Sequence, residues 1–92
     1  MLSKILRTID RRLKNSQKLY LFKIMSNIKI LLGRKLRKLR KARGLSQEQL
    51  ALKAGLDRSF IGKVERGEKN ISIENVERLA KTLKVSVEEL FH

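Results

Sequence analysis

From position 31 onward, apolar residues recur three and four apart, the spacing that lines one face of a helix, and the pattern restarts several times. Residues 31–43 put Leu32, Leu36 and Leu39 on one stripe, fill the rest with basic side chains, and stop at Gly44. Ser46 opens a second helix over roughly 46–53. Gln49 completes a capping box there, and Leu50, Ala51 and Ala54 follow at helical spacing. Gly55 can take φ > 0, which a helix end and turn require. Asp57 is placed to cap a third helix over roughly 57–66, with Ile61 and Val64 on its inner face. Residues 67–70 read as a loop. Ser72 opens a fourth helix with Ile73, Val76, Leu79, Ala80 and Leu83 in register. Ser86 opens a short fifth one, with Glu89 completing another capping box and Leu90 and Phe91 apolar. No segment alternates as a strand. The pattern predicts an all-α domain over residues 31–92, five helices on short connections.

Residues 1–30 read differently, as a basic N-terminal extension. Leu2, Ile5, Leu6, Ile9 and Leu13 fit an amphipathic helix with a basic polar face; NSQ then breaks the pattern, and LYLFKIMSNIKI follows without clear periodicity. Four readings stay open: a helix packed on the domain or on a partner, a basic arm touching DNA, a surface-seeking membrane helix, or an upstream start with the functional chain beginning near Met25. The Arg-rich, acid-poor start also has the composition of an organellar transit peptide, a weaker reading.

Composition narrows the class. Ninety-two residues make one domain, and with four aromatic residues the core must be aliphatic. The chain has no cysteine, so neither disulfides nor a thiolate metal site can form. No uncharged run exceeds five residues (24–28), too short to span a membrane, and no signal-peptide core is visible, so the expected compartment is the cytoplasm. The net charge is +14 and uneven: residues 1–32 carry eight Lys/Arg against one Asp, residues 33–56 eight against one Glu, and residues 57–92 seven against seven acids. A basic half joined to a neutral half implies one surface that meets a polyanion.

The second and third predicted helices, joined at Gly55, have the layout of a helix-turn-helix, whose second helix lies in the DNA major groove. Small residues at Ala51 and Gly55 allow the two helices to approach closely. The N-terminal part of the second helix reaches base edges in this layout. Here it carries Arg58, Ser59 and Phe60, with Lys63 one turn on. Because Ile61 and Val64 point inward, positions 58, 59, 62, 63 and 66 face out. Arg58 can fork onto guanine O6 and N7, Ser59 can donate or accept, and Lys63 can reach a guanine or a phosphate. Phe60 either meets a thymine methyl group or packs partly on the core. Gly62 either permits close backbone approach or is a tolerated defect costing about 1 kcal/mol relative to Ala. Arg66, Lys69 and Asn70 follow the helix and are placed to face phosphates, as is Arg43; Ser46 is chiefly a cap, with phosphate contact secondary.

Nothing resembles a catalytic set. The one histidine is His92, no Ser/His/Asp spacing or Gly-rich phosphate loop occurs, and Glu88 and Glu89 sit where a helix dipole favours acids. No enzyme activity, cofactor, metal or small-molecule ligand is expected.

Residues 34–91 resemble the Xre/Cro-type helix-turn-helix family, which includes phage repressors. The resemblance rests on RGLSQEQLA, AGLDRSFI, VERG and LAKTLKVS. Within it, LDRSFIGKVERG…NISIENVERLAKTL looks most like the controller proteins of restriction–modification systems, small dimeric regulators of their own operon. Residues 1–30 have no counterpart. The resemblance implies a compact repressor-like domain on double-stranded DNA. It further implies that Gln47 contacts a phosphate or base, with purely local bonds as the alternative, and that Arg40 pairs with Glu65 to fix the recognition helix.

A single such domain reads few base pairs, so a homodimer on two half-sites about one helical turn apart is expected. Leu83, Val85, Val87, Leu90 and Phe91 are the candidate dimer surface; the alternative is that they close the monomer core. The leading reading is therefore a sequence-specific, homodimeric transcriptional regulator, autoregulatory or controlling a neighbouring operon. The alternatives are an antitoxin that binds a toxin and its own promoter, with residues 1–30 as the toxin-binding element, and a non-specific basic binder.

Overall fold

A computed structural model describes residues 14–92. The amphipathic stretch from Leu2 to Leu13 lies outside the described residues. Four α-helices follow one another: α1 (Asn15–Ala42), α2 (Gln47–Ala54), α3 (Arg58–Glu65) and α4 (Ile73–Leu83). A 3-10 helix (Glu88–Phe91) comes last. Among the described residues there is no strand.

The first helix departs most from expectation. It begins not near residue 31 but at Asn15, runs 28 residues, and passes through the expected boundary at residues 30–31 without interruption. The NSQ triplet that reads as a break forms its first turn, with the Lys14 backbone N–H donating to Gln17 Oε1 at 3.0 Å. The physical reason is cooperativity. Leu32 and Leu36 anchor the helix in the core, and nothing between residues 15 and 32 is Gly or Pro, so extension outward needs no new nucleus. At 1.5 Å per residue α1 is about 42 Å long, which accounts for the 45 Å long axis of the molecule.

The remaining helices pack around the second half of α1. Leu32, Leu36, Leu50, Ile61, Val64, Leu79, Leu83 and Leu90 form the centre, with Ala51, Ala54 and Ala80 where helices close in. Ser46 accepts from the Gln49 backbone N–H at 3.0 Å while Gln49 Oε1 accepts from the Ser46 N–H at 2.8 Å. Ser72 likewise accepts from the Asn75 N–H at 3.2 Å. Asp57 occupies the cap position of α3, but its side chain makes no capping bond.

Two expectations about the C-terminal end need correction. The fifth helix is a 3-10 turn rather than an α-helix, wound by bonds from the Glu89 N–H to the Ser86 carbonyl and from the Leu90 N–H to the Val87 carbonyl. In this turn Leu90 packs against α1. Leu83 and Leu90 are both fully buried in the single chain and so are not available as a dimer surface. Val85 and Val87 are half-buried against the same core, and Phe91 alone of the five is exposed, at 41%.

α4 ends on Lys84 at φ 58°, the one described non-glycine residue with positive φ. A side chain there pays a steric cost that glycine avoids. Lys84→Gly is expected to raise stability by about 0.5–1 kcal/mol, read as a melting temperature several degrees higher. An unchanged or lower melting temperature would mean that the lysine stem contributes packing that offsets the strain.

Candidate nucleic-acid interface

α2 and α3 meet across a turn of three residues. Gly55 closes α2 at φ 68°, and the Leu56 N–H reaches back to the Ala51 carbonyl at 2.8 Å. α3 is eight residues long, too short to hold its shape alone in water. Its orientation therefore comes from what grips it. Ile61 and Val64 bury one face, and α1 holds the C-terminal turn at two points.

The first point is a backbone contact. Gly33 of α1 lies against the carbonyl oxygens of Val64 and Glu65; a Cβ on Gly33 would stand only 2.6 Å from the latter. The second is ionic. Arg40 donates from Nε to Glu65 Oε2 at 2.7 Å and from Nη2 to Oε1 at 3.0 Å, a two-pronged pair whose side chains are 10% and 3% exposed. Arg40 Nη1 also donates to the Leu45 carbonyl at 2.8 Å, and Gln47 Nε2 donates to Glu65 Oε1 at 3.1 Å. The hydrogen bond to Glu65 raises the Arg40 pKa, against the opposing effect of burial, and the carboxylate's charge adds to the rise. The guanidinium is thus a permanent cation in a nearly dry site. The node joins α1, α2 and α3, since Arg40, Gln47 and Glu65 each belong to a different helix.

With α3 so held, Arg58, Ser59 and Lys63 stand exposed on it. Phe60 is half-buried against the core, and the Lys69 ammonium sits 5.9 Å from its ring centroid. Gly62, read as outward-facing, is buried instead. Its missing Cβ makes room for the chain's own side chains, with Arg66 Nη1 at 3.1 Å and Gln47 Oε1 at 3.7 Å from where that Cβ would be. Arg66 is exposed and pairs with Glu68 at 3.1 Å, a surface bridge weak enough to exchange for a phosphate. Arg43 and Ser46 are exposed, Arg43 making only a long 3.5 Å bond to the Leu39 carbonyl. Lys69 and Asn70 are exposed on the loop after α3 and line a cleft beside α1.

Sequence reasoning had placed Gln47 on DNA or on local bonds, and missed both its link to Glu65 and the seat of Gly33. A lone glycine within an otherwise regular amphipathic helix was the available signal for the second. Among the described residues no cluster of acids and histidines suits a metal ion, and no helix is long and apolar enough to cross a membrane.

This arrangement has known counterparts. A family model described as helix-turn-helix matches residues 36–90. The control protein C.MunI of a Mycoplasma species is 43% identical over 68 residues, covering 73% of this chain and 92% of that protein. The solved restriction-modification controller protein C.AhdI from Aeromonas hydrophila superposes with a TM-score of 0.67 at 51% identity, over 68% of this chain and 96% of that one. The biofilm regulator SinR, solved in complex with DNA, superposes with a TM-score of 0.64 at 35% identity over 66% of this chain and 98% of that one.

Proposed function

This chain belongs to the helix-turn-helix family of DNA-binding transcription regulators, and from that premise we propose that it acts as a homodimer on a palindromic operator. That it is a DNA-binding regulator follows from the family. The proposal concerns which DNA, which residues and which assembly. Arg58, Ser59 and Lys63 read bases, with Phe60 against a thymine methyl group. Arg43, Ser46, Arg66, Lys69 and Asn70 face phosphates, and Gln47 positions α3 through Glu65. The observation that carries this is the exposed Arg58–Ser59–Lys63 set on a helix fixed by Gly33 and Arg40.

The likeness to control proteins of restriction–modification systems supports a regulator of its own operon or of a neighbouring one, acting in the cytoplasm. It gives no support to the antitoxin alternative. A footprint of the full-length protein on the DNA upstream of its own gene tests the reading. Protection of two half-sites about one helical turn apart is expected; equal affinity for scrambled DNA would overturn it.

Arg58→Ala is expected to cost about 1–3 kcal/mol at the specific site and to relax preference at one base pair, with little change in thermal stability because the side chain is exposed. Unaltered base preference in a binding-site selection would remove Arg58 from the reading set.

A further inference from the structure

α1 is a 28-residue helix with nine Lys and Arg residues and no acidic one. Five of the cations share a face. At about 100° per residue, Lys23, Arg34, Arg37, Lys38 and Lys41 fall within an arc of about 100°. All five are exposed, and among the described residues none of them makes an ion pair or a side-chain hydrogen bond. Together they form a stripe about 27 Å long. Leu32 and Leu36 lie on the opposite side of the helix, in the core. Gly33 and Arg40, which grip α3, each stand one residue before a stripe cation, so the stripe looks out about 100° away from α3. The fold gives no reason for this arrangement. The pairs Arg34–Lys38, Arg37–Lys41 and Lys38–Lys41 are like-charged neighbours on the helix and weaken it. The helix dipole favours a cation only in the last turn, which accounts for Lys41 alone among the five. A face that served solubility alone would mix both signs, yet every described acid lies at residue 48 or later.

We infer that this face of α1 is a second DNA surface, holding the phosphate backbone of a duplex segment other than the one α3 reads, without base preference. The inference rests on the DNA-binding reading above and adds a second contact to it. Charge and shape favour this occupant. A duplex carries one negative charge per about 1.7 Å of its axis and stays nearly straight over the length of the stripe, so a straight row of cations meets phosphates all along it. One chain then joins two stretches of DNA, one through base edges and the other through charge. Other polyanions fit less well. A lipid surface takes up a helix with an apolar face set against a charged one. Here the exposed Leu19, Tyr20 and Phe22 spread over about 160° and overlap the basic arc. A single strand is gripped by stacking its bases on aromatic rings, and residues 23–41 contain none.

The test loads the full-length protein on immobilised DNA from upstream of its own gene, which occupies α3, and then offers a labelled random-sequence duplex of about 20 base pairs. Capture of the second duplex is expected at about 50 mM salt and its loss at about 200 mM. Arg34→Gln/Lys38→Gln/Lys41→Gln is expected to cut capture at least about tenfold. Its footprint and base preference should match the parent's, and its melting temperature should be no lower, because the three side chains are exposed and glutamine suits a helix. Arg34→Lys/Lys38→Arg/Lys41→Arg keeps the charges and should capture like the parent. A normal footprint without capture, or equal capture by the glutamine variant, overturns the inference and leaves the regulator reading standing. If the parent gives no footprint, both fall. Displacement of the duplex by random single-stranded RNA, or by phosphatidylglycerol vesicles, at concentrations where competitor duplex has no effect would assign the face to another partner and equally overturn the inference.

Discussion

Gly33→Ala is expected to destabilise the domain by about 3 kcal/mol or more, beyond the range typical of overpacking a core. The obstacle is backbone rather than side chain. The new Cβ would meet the carbonyl oxygens of Val64 and Glu65, neither of which can rotate away without unwinding the last turn of α3. α1 must then separate from α3, and the buried contacts of Leu32 and Leu36 are loosened with it. Denaturant unfolding of the purified variant checks this. A loss below about 1 kcal/mol would mean that the two helices slide apart at little cost.

Glu65→Ala is expected to cost about 3–5 kcal/mol, the range for removing one partner of a buried ion pair. Three donors lose their acceptor together: Arg40 Nε, Arg40 Nη2 and Gln47 Nε2. Arg40 cannot escape by losing its proton, since a guanidinium stays charged in proteins. Its charge would stay nearly buried with only the Leu45 carbonyl beside it. Arg40→Met/Glu65→Leu should recover much of the loss, because an apolar pair leaves no stranded charge. Chemical unfolding of the single and double variants separates these outcomes; a Glu65→Ala loss under about 1 kcal/mol would show that water reaches the guanidinium. Operator affinity of any folded Glu65→Ala protein is also expected to fall, since α3 loses a fixed point.

The parts of the fold legible in the sequence are those whose signals are local. Leu50, Ala51 and Ala54, then Ile61 and Val64, then Val76, Leu79 and Leu83 announce helix faces by spacing alone, and Ser46 and Ser72 mark two starts. α1 was harder to read. Around residues 18–30 apolar side chains occur on all sides of the helix, because half of them lie outside the domain and no single buried stripe selects their phase. Leu83 and Leu90 show a different limit. A core position and an interface position both ask for an apolar residue, and only the tertiary arrangement separates them. The 3-10 winding at Glu88–Phe91 similarly depends on Leu90 being drawn against α1.

In the candidate site, exposed Arg58, Ser59 and Lys63 follow from helical phase against buried Ile61 and Val64. The Arg40–Glu65 pair spans 25 positions and came from family resemblance, since no spacing rule reaches that far. Gln47 and Gly33 were opaque for the same reason: each is defined by a partner on another helix. Asp57 shows the converse, a good capping residue at the right place whose side chain makes no capping bond.

The unbroken course of α1 also sets a rule for how this chain can change length. Tyr20 and Phe22 lie at one end of the helix, Gly33 and Arg40 at the other, and nothing between them can absorb a shift. Each inserted or deleted residue turns one end about 100° relative to the other and moves it 1.5 Å. A single insertion near Ser26 would leave the domain intact yet turn Tyr20 and Phe22 each by about 100° about the helix axis. Eleven residues, close to three whole turns, would restore the direction while displacing it by about 16 Å. The helix therefore behaves as a screw of fixed pitch, and variation in its length is constrained to steps that bring the thread back to the same angle.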